Sequence, residues 1–302
     1  MNITTSMSGE YQFTVLNADR TIARQSEWMP NLITNIGLDR FGQQAIYATI
    51  CRIGTGTTAA VATDTTLVAQ VASTNVTPSA SQVNLGTPNY ESRSSVTYEF
   101  AIGAVVGNMA EVGVGWATTG ATLFSRALIV NGGGTPTPIT VLVSEILQVT
   151  YRLTLFPSIA DASGTVVISG VSYSYTARMY NILNVIDARM LQGAPYGQLE
   201  FPTAFTGGLA ANTATTVSGT SAAMGLCTYS VYTVGNYYRD YQYVAGVNQG
   251  NLTGGIKTLG VRWKDTSDNV VTYYHQVEFT PAIPKTATNV LNLTMRLSWM
   301  RR

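Results

Sequence analysis

Histidine is all but missing from this chain: His275 is the single imidazole in 302 residues, and there are two cysteines, Cys51 and Cys227. That scarcity excludes most familiar chemistry. A Ser-His-Asp or Cys-His relay would have to be built on His275, which lies in the strand-like run 270–277 with no nucleophile motif around it. A structural zinc site needs about four nitrogen or sulfur donors, more than one His and two scattered Cys supply. The two thiols read as small buried side chains in preference to a disulfide. Charge is thin as well. Asp, Glu, Lys and Arg make up 11% of the chain and nearly cancel at +1, where an average globular protein has about 25%. Little net field is left to attract nucleic acid or an anionic membrane. No apolar run approaches the roughly 18–20 residues of a spanning helix; the longest, 101–106 and 139–143, are strand-sized. Residues 1–6 carry neither the basic start nor the apolar block of a secretory signal.

The remaining polar motifs are weak. The run Asn131-Gly132-Gly133-Gly134-Thr135 lacks the Lys-Ser/Thr ending of a phosphate loop and no helix pattern follows it. Residues 161–164 and 265–268 carry acids without the alternating spacing of a calcium loop, and read as solvated turns. The 16 acidic residues are spread out, and none sits in a setting distinctive of a glycosidase pair. The sequence therefore predicts no catalytic residue, no metal ligand and no cofactor.

What the chain does contain is hydrophobic content of 45%, arranged with period two. Val96, Tyr98, Phe100 and Ile102 alternate with Thr97 and Glu99; Val149, Tyr151, Leu153 and Leu155 do the same. Strands are expected at 12–16, 52–56, 95–102, 109–116, 123–130 and 148–156. In the later sequence they are expected at 165–168, 172–175, 223–234, 241–247, 255–264, 270–280 and 290–300, with turn signals about every ten residues. Helical spacing occurs at 181–191 and, more briefly, at 31–41, where Gly37 interrupts it. Residues 57–83 and 207–225 read as long loops, and 266–269 as a hairpin turn.

The second half of the sequence repeats the plan of the first. Gly113-Val114-Gly115-Trp116 has a counterpart in Gly260-Val261-Arg262-Trp263, and the strand pattern at 149–155 recurs at 293–299. The offsets, 260−113 and 293−149, are 147 and 144 residues. Self-similarity over a domain-sized period indicates tandem copies of one architecture. The expected fold is all-β in the main: two tandem antiparallel β-sandwich domains, 1–157 and 158–302, with one or two short helices. A tyrosine-rich stretch stands out in the second of these. Tyr229, Tyr232, Tyr237, Tyr238, Tyr241 and Tyr243 fall within fifteen residues, with Arg239 and Asp240 among them. Flat amphipathic rings with few rotatable bonds suit contact with protein or sugar, so these six form the candidate interaction surface. Alternation between core and outer surface explains the same pattern.

Residues 31–40 (Asn31-Leu32-Ile33-Thr34-Asn35-Ile36-Gly37-Leu38-Asp39-Arg40), followed by Ile53-Gly54-Thr55-Gly56-Thr57-Thr58-Ala59, resemble the opening of virion structural proteins of tailed bacteriophages. Glu111-Val112-Gly113-Val114-Gly115-Trp116, Leu123-Phe124-Ser125-Arg126-Ala127-Leu128-Ile129 and Leu147-Gln148-Val149-Thr150-Tyr151-Arg152-Leu153 resemble the same group, in the same order, over about residues 10–157. The resemblance implies a non-enzymatic tail, fibre or neck-appendage component, located in the virion and assembled in the bacterial cytoplasm. Its partners would be copies of itself and other virion proteins, with no nucleic acid and no membrane insertion. The sparse surface charge agrees, since it does little to oppose association. Two alternatives stay open: a receptor-binding module that grips a host surface glycan through the tyrosines, and a capsid decoration or head-fibre protein. A polysaccharide-degrading enzyme ranks last.

Overall fold

The computed structural model describes residues 1–43, 48–85, 91–179, 199–212, 214, 216–225, 227–263 and 273–302. Strand occupies 55% of the chain and helix 3%, in agreement with an all-β expectation. Up to Pro157 the chain forms β1 (Asn2–Leu16), β2 (Ile22–Gln25), β3 (Met29–Pro30), β4 (Leu32–Ile33), α1 (Asn35–Gly42), β5 (Ile50–Gly54), β6 (Gln70–Leu85), β7 (Glu91–Phe100), β8 (Gly107–Met109), β9 (Glu111–Gly115), β10 (Leu123–Leu128), β11 (Ile139–Val141) and β12 (Ile146–Pro157). It continues as β13 (Ala162–Ile168), β14 (Val171–Met179), β15 (Leu199–Phe205), β16 (Ser221–Ala223), β17 (Cys227–Tyr229), β18 (Tyr238–Ala245), β19 (Ile256–Trp263), β20 (Tyr273–Ile283) and β21 (Leu291–Arg301).

The largest sheet runs β17-β18-β21-β1-β12-β7-β6-β5-β9-β10-β4, with β2 and β3 attached to β1. A six-stranded sheet runs β13-β14-β20-β19-β15-β16, and β8 pairs with β11. The alternating pattern of β12 buries Leu147, Val149, Tyr151, Leu153 and Leu155 on one face. They continue Met7, Tyr11, Phe13 and Val15 of β1 and Val96, Tyr98 and Phe100 of β7. This face meets β10 across the core: Tyr11 Oη lies 2.7 Å from Ser125 Oγ, and the Phe124 and Tyr151 rings meet edge-on at 6.5 Å.

β1 lies in the interior of the large sheet. It lies antiparallel to β12 on one side and parallel to β21 on the other, so strands from both sides of residue 157 share the large sheet. Their buried apolar side chains form one cluster. The pairing scheme also recurs along the chain. The order β6-β5-β9-β10-β4 has the form of β16-β15-β19-β20-β14, antiparallel throughout. Likewise β12-β7-β6 matches β21-β18-β17. β7 opens at Glu91 and β18 at Tyr238, 147 residues on (238−91). The continuous β6 is represented later by two pieces, β16 and β17.

Several expected elements change. β1 starts at Asn2, ten residues before the expected strand, because flanking strands bury the alternate residues Ile3, Thr5 and Met7 of a polar-looking stretch. Of the expected loop 57–83, only its first part is irregular; Gln70–Leu85 is β6, whose Pro78 falls at the register shift between Thr77 and Ala80. A proline is tolerated there because a bulge releases its neighbours from the ladder. The expected loop 207–225 includes the short β16. The expected strand 223–234 breaks up instead into the ends of β16 and β17 and an irregular loop at 230–237. Ala162–Gly164, expected as a turn, opens β13. The helix at 31–41 is the shorter α1, and Gly37 belongs to it: a Cβ there would overlap the Phe124 carbonyl oxygen. The expected helix 181–191 and hairpin turn 266–269 lie outside the described residues. Neither Cys51 nor Cys227 is in a disulfide; Cys51 is buried as expected, whereas Cys227 is only partly buried.

Candidate functional site

Two constellations gather the polar residues that the sequence singles out. The first is built on β5, β9 and β10, whose faces are buried on both sides. Period-two alternation sends Val112 and Val114 into the core and Glu111 to the opposite face. The loop after β5 closes over that face. Glu111, with no exposed surface, accepts the backbone N–H groups of Gly56 (3.2 Å), Val68 (3.1 Å) and Ala69 (2.7 Å). Arg126, 1% exposed, donates from Nε to Glu111 Oε2 at 3.0 Å and from Nη1 to Asp64 Oδ2 at 2.8 Å. Its remaining N–H groups reach the Thr58 and Ala59 carbonyls at 2.7 and 3.3 Å. Arg52, beside them on β5, is also buried and donates to the carbonyls of Ala117 (3.0 Å), Thr119 (3.2 Å) and Gly120 (3.1 Å). Buried charges persist only when paired and hydrogen-bonded. Here each one fixes the path of a loop.

The second constellation joins α1 to the end of the chain. Thr34 caps the helix, accepting from the Gly37 N–H at 2.9 Å and donating to the Leu123 carbonyl at 2.6 Å. The helix then presents its far side to β21 and to the loop between β17 and β18. Trp299 donates from Nε1 to the Leu38 carbonyl at 2.9 Å, and its ring meets Phe41 at 5.5 Å and Tyr232 at 5.6 Å. Asp39 accepts the Tyr232 hydroxyl at 2.6 Å and the Gly235 N–H at 2.7 Å. Burial first, then the bond to Asp39 and its charge, push the Tyr232 phenol well above the ordinary tyrosine range. Arg301 donates to Asn35 Oδ1 at 2.5 Å.

The structure separates the six tyrosines. Tyr241 and Tyr243 are fully buried in the core of β18 and present no surface, which corrects their place in the candidate interaction patch. Burial raises the Tyr243 phenol far above its usual range. Tyr232 and Tyr237 belong to the α1 junction; the Tyr237 carbonyl accepts the Trp299 N–H at 2.9 Å, with Tyr237 at φ +52°. Only Tyr229 and Tyr238 remain as outward rings. Arg239 lies 4.8 Å over the first and Arg296 3.7 Å over the second, within cation–π range. Arg296 in turn holds Asp240 with two bonds of 2.8 and 2.9 Å. The reason for the split is geometric: alternate residues of β18 face opposite ways, so Tyr238 lies on the other face from Tyr241 and Tyr243. Tyr229, opposite Tyr241, is half exposed because β17 is an edge strand, and the loop between β17 and β18 folds back onto α1.

His275 lies buried in β20, in register with Met179 and Val261. Burial drives its imidazole down to about 3, so it is neutral at physiological pH. Sequence reasoning singled out Gly54, Glu111 and Arg126 as motif letters without assigning them a role. The signal at hand was a lone charge inside an apolar strand, as in Ile50-Cys51-Arg52-Ile53 and Leu123-Phe124-Ser125-Arg126-Ala127. A charge so placed needs a buried partner. Among the described residues, no three His, Cys, Asp or Glu side chains lie close enough to hold a metal ion, and no helix is long and apolar enough to cross a membrane. No family model, curated protein or solved structure matches this chain.

Proposed function

We propose that the chain is a structural subunit of a tailed-bacteriophage particle, in the tail, a fibre or a neck appendage, which assembles with copies of itself and docks to other virion proteins. The observation that carries this reading is where the motif residues go. Thr34, Asp39, Glu111 and Arg126 each commit their polar groups to loop backbone or to the junction between α1 and the chain end. Such bonds stiffen a shape. The order of the phage-like motifs supports the particle itself, and the low surface charge suits residence in an assembly. The finer architecture belongs to the same reading: two β-sandwich units, 1–157 and 158–302, produced by duplication and bridged by β1. The repeated pairing order and the 147-residue spacing of β7 and β18 support it.

A second reading, recognition of a host surface glycan, draws on Tyr229 and Tyr238, whose rings stay outward beside arginines. Light scattering on the purified chain, combined with glycan-array binding, separates the two. A particle subunit gives a defined oligomer and no glycan signal. A monomer whose glycan binding disappears in Tyr229→Ala and Tyr238→Ala would support the second reading and contradict the first.

A further inference from the structure

The sheet edges of this protein are unequal. The large sheet ends at β4, of two residues, and β17, of three; the six-stranded sheet ends at β16, also of three. Short edges offer few backbone groups to a stray strand. The other edge of the six-stranded sheet is different. β13 runs for seven residues, Ala162-Ser163-Gly164-Thr165-Val166-Val167-Ile168, without a charge or a proline, and pairs only with β14 among the described residues. It carries none of the usual devices that blunt an edge.

The direction of its free backbone groups follows from the hairpin. Ser169 and Gly170 form a two-residue turn with φ +50° and +82°, the geometry of a tight hairpin. The flanking pair Ile168 and Val171 is then mutually hydrogen-bonded, and so are Val166, Gly164 and Ala162 with their partners on β14. Ser163, Thr165 and Val167 therefore turn their N–H and C=O groups to the open side. Val167 is 68% exposed.

We propose that this edge is a self-pairing site: a second copy of the chain adds its own β13 antiparallel, about a two-fold axis through Thr165, so that two six-stranded sheets become one. The inference rests on the reading of the chain as an assembling subunit and names the contact. Four features favour a second copy over another strand. An axis at Thr165 pairs residues whose free groups both face the partner, giving about six backbone hydrogen bonds. It sets small residues against large: Ala162 opposite Ile168, Gly164 opposite Val166, Ser163 opposite Val167. It also places Thr165 opposite itself, a favourable cross-strand pair. With no charged side chain in the strand, a two-fold creates no like-charge contact within it.

The test uses the full chain. Thr165→Pro removes an N–H that faces away from β14, and Val167→Lys places a charge on the edge; both leave the intrachain ladder intact and should keep the wild-type circular dichroism. By light scattering, the wild type should be an even-numbered oligomer, and each variant should fall to about half its mass or less. Thr165→Cys should form a reducible dimer on a denaturing gel, whereas Val143→Cys, exposed elsewhere, should not. An oligomeric wild type whose mass neither variant changes would overturn the β13 contact and leave the subunit reading standing. A wild type that stays monomeric at every concentration would overturn self-pairing, and its absence from purified particles as well would overturn the subunit reading with it. A monomer that loses only its incorporation into particles in Val167→Lys would assign the edge to another virion protein and overturn self-pairing.

Discussion

Removing the Glu111 carboxylate should destabilise the fold more than any surface change. In Glu111→Ala, Arg126 keeps only Asp64 and two carbonyls for its charge, and the N–H groups of Gly56, Val68 and Ala69 lose their acceptor. Breaking a buried pair by deleting one partner costs about 3–5 kcal/mol. The absence of exposed surface on Glu111 places this site in that class, far from the roughly 0.2–1 kcal/mol typical of exposed pairs. Urea unfolding followed by far-ultraviolet circular dichroism measures the loss. Limited proteolysis of folded protein reports the second consequence, faster cleavage in the loop between β5 and β6. A double cycle with Arg126→Met isolates the pair: the double variant should be more stable than the sum of the single losses predicts, by about 1–3 kcal/mol. A loss under about 1 kcal/mol for Glu111→Ala, with the loop still resistant, would show that the carboxylate is not what holds it.

Other outcomes follow from the same structure. Tyr232→Phe removes the hydroxyl that Asp39 accepts and should cost about 1.5–3 kcal/mol in urea unfolding, while Tyr229→Ala, half exposed, should cost about 0.5–2 kcal/mol, the range for its cation–π contact with Arg239. Tyr243→Ala, in the core, should cost about 3–5 kcal/mol, the range for buried aromatics; equal effects at Tyr229 and Tyr243 would contradict their separation. His275 makes stability fall in acid. The unfolded chain takes up a proton below about 6.5 and the folded chain only near 3, so stability drops between those values, by about 2 kcal/mol from pH 7 to pH 5. His275→Gln should flatten that part of the pH profile of the urea midpoint.

The all-β class was legible because strands such as β7 and β12 alternate sharply between apolar and polar residues. The early part of β1 and all of β6 escaped for the opposite reason. Their Thr, Ser, Asn and Ala residues look like loop, and only pairing with remote strands makes them sheet. Parallel contact between β1 and β21 joins residues near 2 with residues near 296, a distance at which local pattern carries no information. Among the tyrosines, period-two alternation in β18 puts Tyr241 and Tyr243 on one face and Tyr238 on the other. Which face is buried depends on what packs against it, and the pattern alone does not say. The return of Tyr232 onto Asp39 depends on a loop path that composition does not encode. The lone charges of β5, β9 and β10 were visible, and burial of their strands on both faces is what turned them into internal ties.

The decisive measurement is the number of copies of this chain in purified particles, counted by quantitative mass spectrometry against the major head protein. A structural subunit should be retained through gradient purification at a fixed multiple of the particle's symmetry. Absence from washed particles, with the chain recovered as free protein from the same infected cells, would contradict the structural role.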